Sequence, residues 1–95
     1  MTVGFEWDSK KAASNLRRHG VSFEEATSVF SDPLARIFDD EAHAIEEQRE
    51  IIIGHSTRDR LLLVSFTQQE DIIRIISARR ATRNERKDYE EGTEP

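Results

Sequence analysis

The chain has no cysteine, so a disulfide framework, a thiolate zinc site and a thiol nucleophile are all excluded. No stretch approaches the roughly 20 apolar residues needed to span a bilayer. No hydrophobic signal-peptide core follows Met1, so the expected location is the cytoplasm, away from membranes. The longest apolar runs, Ile51 to Ile53 and Leu61 to Val64, are strand-sized. A Gly-rich phosphate loop and a Gly-x-Ser-x-Gly nucleophile motif are both missing, which disfavours cofactor-dependent enzymes. His19, His43 and His55 fall on different elements and form no ligand-spaced pair, so no metal or other cofactor is expected.

What is present is a small, highly charged polypeptide. With 95 residues, 36% of them hydrophobic and 35% charged, it reads as one soluble domain over 1–95 with a two-layer core. Residues 90–95 read as a frayed tail. The net charge of −5 is unevenly placed. Residues 1–57 carry six basic and eleven acidic groups, 58–87 carry eight and four, and 88–95 carry four acids and no base. From Ile72 to Lys87 six cations face one acid, Glu85. A basic block on an acidic chain points to a negatively charged partner, with a solvated helix face as the plain alternative.

Along the chain, Phe5 to Trp7 is a short strand candidate, and Asp8 is placed to cap a helix over residues 9–19 that Gly20 stops. Ser22 and Glu25 stand at the spacing of a capping box for a second short helix, ended by Asp32-Pro33. Strands follow at 34–38, 49–56, 60–67 and 72–78, with an acidic loop from Asp39 to Gln48. The last three are joined by short turns and form an antiparallel meander. The apolar run through Ile72, Ile73, Ile75 and Ile76 suggests a strand buried on both faces. Thr82 and Glu85 repeat the capping-box spacing at the head of a C-terminal helix. The expected fold is α+β, with two N-terminal helices packed on a four-stranded antiparallel sheet and a third helix at the C-terminus.

The chemistry open to such a chain is a cofactor-free reaction on a polyanion. Cleavage of RNA by its own 2′-hydroxyl needs a proton acceptor, a proton donor and cations at the developing phosphorane charge. Arginine suits the last role because its fork holds phosphate oxygens bidentately. Arg58 and Arg60 flank one turn, and Arg74, Arg79 and Arg80 lie on the last strand. Alternation sets Arg60 among Leu62, Val64 and Phe66, and Arg74 among Ile72 and Ile76, an arrangement costly unless paired or functional. An ion pair with Glu47 or Glu50 is the structural alternative for Arg74. His55, at a strand end near Arg58, is the candidate acid or base, against an exposed imidazole without a role. His19 stands where it would complement a helix C-terminus. Tyr89, on the helix with Arg83, Arg86 and Lys87, is a candidate acid or base-stacking group, whereas Trp7 belongs more naturally to the core.

These residues resemble the BrnT toxins of BrnT/BrnA type II toxin–antitoxin systems over nearly the whole chain. The resemblance rests on FEWD from Phe5 to Asp8 with Lys11 and Asn15, on RRHGVSFEEA from Arg17 to Ala26, and on VFSDPLA from Val29 to Ala35. It continues through EIIIG from Glu50, RLLLVSFT from Arg60, and RIISARRATRNERKDYE from Arg74 to Glu90. It implies a RelE-like fold and a metal-independent endoribonuclease that inhibits translation and growth. It also implies neutralisation by a BrnA-type antitoxin whose ribbon-helix-helix part binds operator DNA, so that the toxin reaches that DNA only indirectly. Its basic surface would face RNA when free and the antitoxin when bound. Arg60, Arg74 and Arg79 lie in matching blocks and are expected to bind phosphate and stabilise the phosphorane, with His55 and Tyr89 as the titrating groups. Glu46 and Glu47 are alternative bases, and Arg58, Arg80, Arg83, Arg86 and Lys87 are expected to hold RNA. The competing reading is a binding module without turnover, in which the same surface holds an antitoxin or nucleic acid.

Overall fold

The structure, a computed structural model, describes residues 3–40 and 48–92; His43, Glu46, Glu47 and most of the acidic loop lie outside them. Local signals place the first helix. Asp8 is extended, and its carboxylate accepts from the Lys11 N–H at 3.0 Å, opening α1 (Ser9–His19). Gly20 closes it in the left-handed region at φ 69°, donating its N–H to the Leu16 carbonyl. The second helix, α2 (Phe23–Ser28), starts on the Ser22 hydroxyl and runs on into a 3-10 turn over Val29–Ser31. A full capping box opens α3 (Arg83–Glu91): Thr82 accepts from the Glu85 N–H while Glu85 accepts from the Thr82 N–H. That helix ends at Gly92, with φ 71°, so Glu90 and Glu91, expected in a frayed tail, are helical, and the rest of that tail, 93–95, lies outside the described residues.

The sheet has five strands, β1 (Gly4–Glu6), β2 (Arg36–Asp39), β3 (Glu50–His55), β4 (Leu61–Gln69) and β5 (Ile72–Arg80), in the order β1-β5-β4-β3-β2. The run β2 to β5 is antiparallel, as the turn spacing predicts. The expectation of a four-stranded antiparallel sheet is corrected by β1, which pairs in parallel with β5, Gly4 opposite Ile72 and Glu6 opposite Arg74. A parallel neighbour needs a long crossover, and here almost the whole chain supplies it.

The two faces of the sheet carry different covers. On one, Val21, Phe23, Ala26 and Val29 from the α1–α2 region meet Ile52, Leu62, Val64, Phe66, Ile73, Ile75 and Ala78. Trp7 packs against this core, with its ring edge-on to Phe23 at 5.9 Å. On the other face Ile53, Leu61 and Leu63 lie beneath Tyr89 of α3, which explains why β4 is buried on both sides from Leu61 to Val64. The last strand differs from expectation in its first half. Ile73 and Ile75 are buried, but Ile72 and Arg74 are exposed on the opposite face, because α3 covers the β3–β4 side only. At Ile76 a bulge interrupts the ladder, with Ser77 opposite Ser65 and Ile75 opposite Phe66.

One position requires glycine for proximity. A Cβ at Gly54 would stand 2.8 Å from the Ala35 Cβ and 3.0 Å from an Asp32 carboxylate oxygen. Gly54→Ala is therefore expected to cost about 1–3 kcal/mol through forced displacement of β3 from the Asp32 loop. A urea midpoint indistinguishable from that of the parent protein would contradict this.

Candidate functional site

The arginines expected to act together are held in three places, each by its own carboxylate. Arg60 lies on the helix-covered side, where its Nε donates to Glu25 at 2.9 Å and its Nη2 to the other Glu25 oxygen. The same guanidinium reaches the Gly20 carbonyl at 3.1 Å, clamping the end of α1. Glu25 is almost wholly enclosed, with 4% of its side chain accessible, and also accepts from the Ser56 hydroxyl at 2.7 Å. This is why the capping box expected at Ser22 forms only by half: the Glu25 carboxylate turns to Arg60 and not back to Ser22. Arg60 bonding holds the Glu25 carboxyl below its ordinary range, overcoming the opposing effect of burial, with help from Ser56 and nearby Arg58. Arg58 itself points into solvent, 3.8 Å from Glu25.

Arg74 pairs with Glu6 of β1 at 2.9 Å on the exposed end of the sheet, in place of the expected Glu47 or Glu50. Arg79 is gripped bidentately by Glu85, at 2.8 and 2.9 Å, while the same carboxylate caps α3 through Thr82. The Arg79 contact draws the Glu85 carboxyl down to about 2. The sign for stability follows directly. A carboxylate depressed in the folded state stabilises above its unfolded value of about 4.5 and loses that contribution as pH falls towards its folded value. Glu25 acts in the same direction. The urea midpoint is expected to fall between pH 5 and pH 2, and Glu85→Gln should flatten that slope. Allowing for solvent screening at a partly exposed pair, the Glu85 share is about 1–2 kcal/mol at neutral pH.

A cleft of about 110 Å³ opens between α3 and the second sheet face, lined by Arg36, Phe38, Ile53, Leu63, Glu85, Asp88 and Tyr89. One expected residue, Tyr89, lines it, and two others, His55 and Arg79, touch its wall from outside. The Tyr89 ring meets the His55 imidazole edge-on at 5.7 Å, and Arg79 borders the cleft through Glu85. Arg36 stacks its guanidinium 5.3 Å from the Tyr89 ring centre and donates to the Tyr89 carbonyl at 3.0 Å. The Tyr89 hydroxyl donates to the Leu34 carbonyl at 3.2 Å. Burial, and next the Asp32 carboxylate, raise its pKa, so the phenol keeps its proton at neutral pH. Asp32 is the hinge of this corner. Its carboxylate accepts from the His55 N–H at 2.7 Å and the Leu34 N–H at 2.9 Å, and lies 3.8 Å from the imidazole Nδ1. Those two backbone bonds lower its pKa from the ordinary carboxylate value, against the opposing effect of burial.

The remaining expected contacts are dispersed. Arg80 and Arg83 are exposed, Lys87 likewise, and Arg86 approaches Glu90 one helical turn away at 3.6 Å. Sequence reasoning missed Arg36, Asp32 and Asp88. An arginine inside the apolar segment from Leu34 to Phe38 was a signal of the same kind as Arg74 between isoleucines. Among the described residues no three His, Asp or Glu side chains are grouped to hold a metal ion, and no helix is long and apolar enough to cross a membrane.

Comparison with known proteins bears on this arrangement in two ways. The crystal structure of the Brucella abortus ribonuclease toxin BrnT matches with a TM-score of 0.67 and 25% identity, covering 86% of this chain and 100% of that one. Among curated proteins no match was found. The family model described as the ribonuclease toxin BrnT of type II toxin–antitoxin systems matches residues 7–85, from Trp7 through the Glu85 that grips Arg79, and by that match the chain belongs to the BrnT family.

Proposed function

We propose that the protein is a metal-independent endoribonuclease that cleaves RNA by 2′-hydroxyl attack, arrests translation and growth in the cytoplasm, and is neutralised by a BrnA-type ribbon-helix-helix antitoxin. One observation carries the catalytic part: Tyr89 and Arg36 share the wall of one cleft, His55 meets the Tyr89 ring with Asp32 behind its imidazole, and Arg79 is held by Glu85 of the same wall. In this reading His55 exchanges the proton, and the Asp32 carboxylate lies 3.8 Å from its Nδ1. Arg79 meets the non-bridging phosphate oxygens, fixed in place by Glu85. The protonated Tyr89 offers its ring to a base, and the exposed cations of α3 bind flanking phosphates. Arg60 is committed to Glu25 and supports the fold, while Arg74 lines a separate cleft with Glu6.

A binding module without turnover is favoured by one feature: Arg60, Arg74 and Arg79 each already hold a carboxylate. Incubation of the antitoxin-free protein with total RNA in EDTA separates the two. Cleavage that persists in chelator supports the ribonuclease, and rescue of arrested cells by a co-expressed BrnA-type protein supports the partner. Intact RNA, both free and on translating ribosomes, would leave the binding module.

A further inference from the structure

A second cleft, outside the one assigned to catalysis, lies where α1 runs beside the outer edge of β5. Its walls are Lys11, Ser14, Asn15, Arg18 and His19 of α1, Arg49 just ahead of β3, and Ile76 and Ser77 of β5, around about 300 Å³. We propose that this cleft binds the sugar–phosphate backbone of single-stranded RNA, next to the site of cleavage; the identity of that ligand rests on the ribonuclease reading above.

The placement is built into the fold. Lys11, Ser14 and Arg18 recur at helical spacing, so they form one stripe along α1. Asn15 fixes that stripe at a set height beside the sheet. β1 pairs with β5 only from Ile72 to Arg74, which leaves the edge beyond it open. Asn15 takes the place of a strand there: its side-chain carbonyl accepts from the Ala78 N–H at 3.1 Å and its amide donates to the Ala78 carbonyl at 2.8 Å. A further bond from the same amide to the Val21 carbonyl, 2.9 Å, ties the joint between α1 and α2 to this edge. On the strand side the bulge at Ile76 re-aims Ile76 and Ser77 into the cleft.

The chemistry selects a phosphodiester chain. Among the described residues, three permanent cations, one imidazole and two serine hydroxyls line the cleft and no carboxylate does, on a protein of net charge −5. Among the described residues Ile76 is the one aliphatic side chain of the lining, and they form no apolar socket of the kind that anchors a protein partner. The cleft also adjoins the catalytic one. Ser77 belongs to it, and Arg79, two residues further along β5 or about 7 Å of strand, is paired to Glu85 in the wall of the other. A single strand held by Lys11 and Arg18 would thus continue towards Arg79.

The test is binding of a 2′-O-methyl RNA oligonucleotide, which cannot be cleaved, across a salt series. Lys11→Ala/Arg18→Ala is compared with Lys10→Ala/Arg17→Ala, which removes the same charge from the same helix outside the cleft. The first variant is expected to bind at least ten-fold more weakly than the second at moderate salt. Its log affinity–log salt slope should drop by about 1.4, corresponding to two lost phosphate contacts on a single strand. All four positions are exposed, so thermal unfolding confirms that both variants fold. Lys11→Gln/Arg18→Gln repeats the comparison should the alanines disturb α1. Equal weakening by both variants, or no weakening, overturns the site, as does wild-type protein that fails to bind the oligonucleotide. Loss of binding to poly-glutamate with RNA binding intact would overturn it too, in favour of an acidic protein segment. Because the probe is uncleavable, a protein that binds it through Lys11 and Arg18 yet leaves all RNA intact refutes the ribonuclease reading and not this site.

Discussion

Arg60→Ala is expected to lower the stability of the fold by about 3–5 kcal/mol, because it leaves the enclosed Glu25 carboxylate without its countercharge. For a domain of this size, each kcal/mol moves the midpoint of thermal unfolding by about 4–8 °C, so a fall of about 12–40 °C should be seen. The cause is the asymmetry of buried ion pairs. Desolvation of the two charges is offset in the pair by three hydrogen bonds to Glu25, two from Arg60 and one from Ser56. Remove the guanidinium and only the Ser56 hydroxyl and the distant Arg58 remain. The end of α1 also loses the bond from Arg60 to the Gly20 carbonyl. Arg60→Lys keeps the charge but cannot reproduce the fork, and should fall between the two. The informative comparison is Glu25→Leu/Arg60→Met. Replacing both charges with apolar groups should cost much less than Arg60→Ala alone. An Arg60→Ala protein that melts within a few degrees of the wild type would show that Glu25 is reached by water, and the arginine would return to the list of phosphate binders.

Much of this fold was legible because its signals are local. Asp8, Gly20, Thr82 with Glu85, and the short turns of the meander each act within four residues, and each element begins or ends where they say. What escaped depends on partners far along the chain. Glu25 at the third position after Ser22 has the right spacing for a capping box, and only the approach of Arg60, 35 residues later, decides that its carboxylate goes elsewhere. The parallel pairing of β1 has no local signature, since three residues meet a strand 68 positions away. For the site, which of the candidate residues become neighbours depends on which sheet face α3 covers. His55 and Tyr89 become neighbours because α3 folds back over Ile53 and Leu63. Arg60 and Arg74, equally anomalous among aliphatics, are drawn instead to Glu25 and Glu6.

The second large effect is on the reaction. With total RNA in chelator as substrate, Arg79→Ala is expected to lose about 10²–10³-fold in turnover, the range seen when one preorganised donor to a developing oxyanion is removed. Glu85 gives the arginine its orientation, and the position of both is set by the Thr82 capping box, so the fork is held before substrate arrives. A cation that meets the phosphate chiefly as phosphorane charge develops should act on kcat more than on KM. Arg79→Lys keeps a positive charge at the same strand position but not two parallel N–H groups, and should recover only part of the rate. Folding is a smaller concern here than at Arg60. The Arg79–Glu85 pair is partly exposed, and Glu85 retains its role as the α3 cap without the arginine. The melting midpoint should therefore fall by only a few degrees. Full cleavage by a folded Arg79→Ala protein would remove this residue from the site. Loss of cleavage in His55→Ala together with Arg79→Ala, each with normal melting, would tie the reaction to the α3 cleft. Under the proposed mechanism a resting ion pair with Glu85 is compatible with catalysis. Two anions contend for one fork, and a phosphate can recruit the donors that Glu85 leaves unused while the carboxylate keeps the guanidinium in place.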